Sequence, residues 1–254
     1  MLAKGGADII KRFIGSLSQQ DWTAVFIELM VVVVGILLAL QVDQWAQGRE
    51  QRETERTYLL RLKEDLQIER ARASDAMGFA RSRLEAVQYL DRVAADPSIA
   101  NKDTARLPWA IETAGWRSFP KISPFVYDEL QSTGRMSLIR SVALRRALVE
   151  HYATIAHDGR VGEDRSAEQA FDQAAAGLLS MGELTAIERV GGQQPIDMSE
   201  DRARVLANGL AARRQAIDQL PSLAQHHVFN LRVIGDMQER IDRLIAMVDR
   251  ELAR

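Results

Sequence analysis

Histidine is the side chain best suited to proton transfer or metal ligation near neutral pH, and the sequence offers four: His151, His157, His226 and His227. A helical metal clamp needs ligands three or four residues apart, on one face. The spacing from His151 to His157 sets the two rings apart around a helix, and the adjacent His226 and His227 point in different directions. No metal site is expected from either pair. The acidic pairs Asp128-Glu129 and Glu64-Asp65 have the right type for general acid–base work. They stand in charged helix faces without a nucleophile or a Gly-rich loop, so structural roles are expected. The phosphate-binding, dinucleotide, zinc-protease and serine-hydrolase patterns are all absent from the sequence. There is no cysteine, which removes disulfides, thiolate zinc sites and thiol nucleophiles together. These features predict neither an enzyme nor a cofactor.

Two other groups of residues invite a functional reading. Glu28 stands alone as an acid within an apolar run, and an ionisable group in such a place needs a partner or a proton. On a helix, Val32, Gly35 and Ala39 share its face, so the acid lies on a stripe with two small residues that permit close helix approach. Trp109, Trp116, Phe119, Phe125 and Tyr127 form the densest aromatic stretch. The expectation is a core plug where short helices meet a bundle, with a ligand pocket as the alternative.

The element that carries Glu28 runs from Thr23 to Val42, TAVFIELMVVVVGILLALQV, with one charge. At 1.5 Å per residue it reaches roughly 30 Å, the thickness of a bilayer's hydrocarbon core. Trp22 and Trp45 bracket it as headgroup anchors. Ala39-Leu40-Gln41 makes no small-x-small cleavage site, so an uncleaved anchor is expected rather than a signal peptide. Ahead of it, Asp8 to Leu17 places Ile9, Ile10, Phe13, Ile14 and Leu17 on one face, and this amphipathic segment, residues 1–22, reads either as a helix lying on the membrane surface or as a frayed terminus.

Low aromatic content (6%), few prolines and abundant Leu, Ala, Arg and Glu predict an all-α fold. Beyond the transmembrane helix (residues 23–42), a stalk helix over 43–96 carries Leu59, Leu62, Leu66, Ala73, Met77, Ala80, Leu84, Val87 and Leu90 at three- and four-residue steps. That is the seam of a helix in a bundle or coiled coil. Asp96-Pro97 should end it. The remaining 97–254 reads as an antiparallel helical bundle packed on the stalk. Within it, a short helix is expected from Pro108 to Gly115. Ser123-Pro124 should cap another that closes at Gly134, and a helix from Ser141 should stop at Asp158-Gly159. Further helices are expected from about Glu163 to Met181 and from Ser199, the latter interrupted or kinked at Pro221.

Two strings in this order resemble an uncharacterised bacterial family of single-pass membrane proteins with a domain of unknown function. The first is Phe26 to Leu66, where the span leaves through Gln41 and Trp45 into a charged helix with Tyr58-Leu59-x-x-Leu62. The second is Tyr127-Asp128-Glu129-Leu130-Gln131-Ser132-Thr133-Gly134, followed by Leu138-Ile139, Leu144-Arg145 and Tyr152. The resemblance implies the bacterial inner membrane with the soluble domain in the periplasm, but no activity and no site residue. The local charges lean the other way, since Arg49, Arg52, Arg56, Arg61 and Lys63 outnumber the cations before the span. They are interleaved with acids, so the resemblance is given precedence.

The net charge of −2 gives no basic excess for nucleic acid. The leading expectation is a non-enzymatic, membrane-anchored interaction protein that meets another membrane protein or itself through span and stalk, the lipid bilayer being its other partner. The alternative is a periplasmic sensor-like bundle that binds a small ligand.

Overall fold

The computed structural model describes residues 22–116, 119–161, 165–191 and 194–254. The amphipathic segment expected over Asp8 to Leu17 lies outside the described residues. The described chain is all-α, with no strand among these residues.

Helix α1 runs Trp22–Ala95. No proline occurs in that stretch, and prolines are the strongest interruption a helix meets. It stops where sequence reading places the stop: Asp96 turns extended (φ −141°, ψ 96°), its carboxylate accepts from the Ser98 N–H, and Pro97 opens a 3-10 turn, Pro97–Lys102. Seven of the remaining helices are α2 (Arg106–Thr113), α3 (Phe125–Ser132), α4 (Val142–Val161), α5 (Ser166–Ala175), α6 (Met181–Arg189), α7 (Glu200–Ala211) and α8 (Arg214–Ile217). The long α9, Leu220–Leu252, ends the chain.

The chain forms two compact units, one ending at Arg56 and one running Thr57–Arg254. In the first, α1 carries an 18-residue stretch of mean hydropathy 2.3, long and apolar enough to cross a membrane, and none of it is buried. From Asp43 to Glu53 the helix is polar on every side. Within it Gln47 donates to Asp43 (2.7 Å), and Arg49 lies over the Trp45 ring (5.6 Å) and faces Glu53 (3.6 Å). This stretch has no apolar seam; the expected seam begins further on, at Leu59.

The second unit begins inside the segment read as a stalk, because the buried face of α1 begins there. Leu59, Leu62, Leu66, Glu69, Ala73, Ala76, Ala80, Arg83, Val87 and Leu90 are all buried, at alternating steps of three and four. That spacing keeps one stripe turned toward neighbouring helices. Two apolar cores form along it. The first holds Leu59, Leu62, Leu66 and Ala73 against Val126 and Leu130 of α3, Leu144 and Leu148 of α4, and Ile234, Ile241 and Val248 of α9. The second holds Val87, Leu90 and Val93 against Leu107 and Ile111 of α2, Phe171 of α5, Leu206 and Leu210 of α7, and Leu220 and Leu223 of α9.

Several boundaries differ from the sequence reading, each for an identifiable reason. Helix α2 starts at Arg106, ahead of Pro108, with the Arg106 N–H held by the Asp103 carboxylate (3.2 Å). Ser123 does not cap α3; Asp65 does so from α1, its Oδ2 accepting from the Val126 N–H at 2.8 Å. Helix α4 passes through Asp158-Gly159 to Val161. The helix expected to run to Met181 ends at Ala175, ahead of Gly177 (φ 77°), and a Ser180–Glu183 capping box starts a separate helix, α6, at Met181. Of the interruption or kink expected at Pro221 the structure shows an interruption: the helix from Ser199 ends at Ala211, and Pro221 sits in the first turn of α9, the position where a missing N–H costs nothing. Gly134 does adopt the left-handed conformation (φ 68°, ψ 14°) after α3, opening the 3-10 turn Arg135–Leu138.

Candidate functional site

In the span, Glu28, Val32, Gly35 and Ala39 share one stripe of α1, by their steps of four, three and four. All four are exposed, and a Cβ placed on Gly35 would meet nothing within 4 Å. Val31, Leu37 and Leu38 are likewise exposed. A stretch this apolar gains nothing from exposure to water, and lipid or another helix is the environment it suits. Trp45 is 60% exposed; Trp22 is the first residue of α1.

In the second unit, the aromatic stretch does not form one cluster. Tyr127 is buried against Tyr152 of α4, ring centroids 4.4 Å apart. Phe119 borders the first core, while Phe125 is 70% exposed at the start of α3. Trp109 and Trp116 surround Arg83 of α1: the guanidinium carbon lies 5.5 Å and 5.4 Å from their ring centroids and 5.9 Å from that of Phe79. The electron-rich faces of three rings stabilise the buried cation. Burial lowers the Arg83 pKa to about 10, which leaves it charged at neutral pH.

Arg83 belongs to a polar layer between the two apolar cores. It falls between Ala80 and Ala86 on α1, as His227 and Asn230 fall between Leu223 and Ile234 on α9, and all three are buried. His227 Nε2 donates to the Ala114 carbonyl at 2.7 Å, which fixes the neutral tautomer, and its Nδ1 is buried without a hydrogen-bond partner. Burial pushes its pKa down to about 4, overcoming the opposing pull of that carbonyl; His226 and Arg83 add to the depression. His226 Nε2 stands 3.0 Å from Asn230 Nδ2 and 3.3 Å from Oε1 of the buried Glu168 on α5. Beside this layer Glu112, Trp116, Asp172 and Leu179 line a cavity of about 370 Å³. Burial raises the pKa of both carboxyls, and their acidic neighbours add to it: Asp172 and Glu188 for Glu112, Glu168 for Asp172.

A second buried polar group sits in the first core. Glu69 receives the Tyr152 hydroxyl at 3.0 Å and faces His151 Nε2 at 3.4 Å. Burial, then the Glu69 charge, raises the Tyr152 pKa, so the phenol stays a donor. His151 is therefore a core residue. Asp65 caps α3, and Glu129 accepts from Tyr58 (2.8 Å) and Arg61 (2.6 Å). Among the described residues no group of three or more His, Asp or Glu side chains is placed to hold a metal ion. Sequence reading missed Glu69, Arg83 and Glu168. The first two were findable, since each occupies a seam position of α1 where the three–four rhythm calls for an apolar side chain.

What the arrangement does chemically is hold helices together through buried polar contacts and present an uncovered apolar helix. Compared with family models, with curated proteins and with solved structures, the chain matches none of them.

Proposed function

We propose that this chain is a non-enzymatic, membrane-anchored interaction protein. Residues 23–42 cross the bacterial inner membrane, the helical domain stands in the periplasm, and the span meets a helix of another membrane protein or of a second copy through Glu28, Val32, Gly35 and Ala39. The observation that carries this reading is the apolar stretch of α1 that is 0% buried and contains Glu28 as its single charge. An acid at the centre of a span costs about 3 kcal/mol on insertion scales, and Glu28, the sixth residue of 23–42, carries part of that cost. A hydrogen-bonding neighbour offsets that cost, and Gly35 and Ala39 let its backbone come close. The polar stretch Asp43 to Glu53 has no apolar seam of its own, which moves association into the bilayer. The periplasmic side follows from the resemblance of the Phe26–Leu66 and Tyr127–Gly134 strings to single-pass proteins of that topology.

Purification from native membranes in mild detergent, with identification of every co-purifying chain, tests it. A stoichiometric membrane partner or a defined homo-oligomer is expected. A lone monomer would overturn the reading.

A further inference from the structure

A cleft of about 500 Å³ opens in the second unit between one face of α1 and the segment leading into α3. From α1 it is lined by Arg72, Asp75 and Phe79, and from the facing segment by Phe119, Lys121 and Ser123. The α1 residues fall at steps of three and four, so they share a face. Arg72 is fixed at the mouth: its Nη1 donates to the Lys121 carbonyl at 3.1 Å. That bond uses one of the five guanidinium donors and leaves the others available. Neither the Lys121 ammonium nor the Asp75 carboxylate has an ion-pair partner among the described residues. Two cations and one anion thus border a space whose walls include two phenyl rings, with Phe79 38% exposed.

From this juxtaposition we propose that the cleft binds a small zwitterion with an apolar side chain, a free amino acid or a dipeptide. The carboxylate is recognised by Arg72 and Lys121, with Ser123 as a further donor. Asp75 takes the ammonium, and Phe79 and Phe119 cover the side chain. A carboxylate alone would leave Asp75 as a repelling charge, and an amine alone would face two cations. Only a ligand with both charges satisfies the set. The volume exceeds that of a single amino acid, which admits a dipeptide as well. This goes beyond the association proposed for the span and does not depend on it, because all the residues involved lie in the second unit.

The test uses the full chain in lipid nanodiscs and three probes: L-phenylalanine, 3-phenylpropanoate, which lacks the ammonium, and 2-phenylethylammonium, which lacks the carboxylate. Ligand-observed NMR titration reads each affinity. Saturable binding of L-phenylalanine is expected, with each truncated probe about tenfold weaker, the effect of losing one charge-assisted contact. Asp75→Asn should weaken L-phenylalanine about tenfold and leave 3-phenylpropanoate no weaker. Lys121→Gln should weaken both carboxylate probes and leave 2-phenylethylammonium no weaker. Both positions are exposed, and unchanged thermal unfolding verifies that the variants fold. Equal affinity for all three probes would overturn the proposal, as would tightest binding of 3-phenylpropanoate. So would no saturation by about 10 mM L-phenylalanine, which corresponds to a binding free energy too small for a built site.

Discussion

At the scale of single residues, the sharpest consequence comes from His227. Its folded pKa of about 4 lies below the usual value near 6.5, so between those limits the unfolded chain binds a proton that the folded chain refuses. Stability from this group is fully present above about pH 6.5 and is lost as pH falls toward 4, a loss of about 3 kcal/mol at most. Glu112 and Asp172 act in the opposite sense, because their raised pKa values make the folded state the better proton acceptor. The His227 contribution is therefore read as a difference. His227→Gln keeps a donor for the Ala114 carbonyl and removes the titration, so in urea unfolding wild type should lose up to about 3 kcal/mol relative to the variant between pH 7 and pH 4. Parallel pH profiles would show that the imidazole does not titrate as its burial requires. Tyr152→Phe leaves the buried Glu69 without its hydroxyl donor and should destabilise the domain by about 1–3 kcal/mol; unfolding midpoints at equal slope measure it. Glu69 and Arg83 also mark where sequence reading was incomplete. The run Leu66, x, x, Glu69, x, x, x, Ala73 continues the three–four rhythm. Reading only apolar types jumps from Leu66 to Ala73 and discards the charged residues that occupy the seam.

At the scale of elements, the helices were legible wherever local chemistry decides them. The Asp96-Pro97 stop of α1, the Ser199 cap of α7, whose Oγ accepts from the Arg202 N–H at 3.3 Å, and the left-handed Gly134 all follow from residue type. The cap of α3 was not legible, because the accepting carboxylate, Asp65, lies far away in sequence and only packing brings it near. Asp65→Ala should cost about 1 kcal/mol, the usual value of a lost N-cap, and Asp65→Asn much less, since the amide oxygen still accepts. Equilibrium unfolding of the three chains distinguishes these outcomes. Gly134 supplies a second element-scale prediction. A Cβ there meets open space, so any penalty is backbone strain alone, and Gly134→Val should destabilise by about 1–3 kcal/mol. An unchanged unfolding midpoint would mean that the turn relaxes without loss. The start of α6 at Met181 was also readable in principle, from Ser180 followed three residues later by Glu183. Met181-Gly182 looked like an ending when it is a first turn.

At the scale of the molecule, composition alone pointed to an all-α chain, and the long apolar helix is plain in both sequence and structure. The candidate site was less accessible. Glu28 could be singled out because it interrupts an apolar run, whereas the polar layer of Arg83, His227, Asn230 and Glu168 is assembled from three helices and leaves no local pattern. Topology follows from the proposed periplasmic domain: alkaline phosphatase joined to the C-terminus should be active, and a cytoplasmic fluorescent reporter at the same place dark. The reverse pair of results would put the domain on the other side. The proposed association through the span is tested most directly by comparing the assembly size of wild type, Glu28→Leu and Val33→Leu in native-lipid nanodiscs. Val33 lies about 140° around the helix from Glu28, so its substitution leaves the stripe intact. Wild type and Val33→Leu should keep the same partner or oligomer and Glu28→Leu should lose it while still inserting. Retention of that assembly by Glu28→Leu would contradict the account.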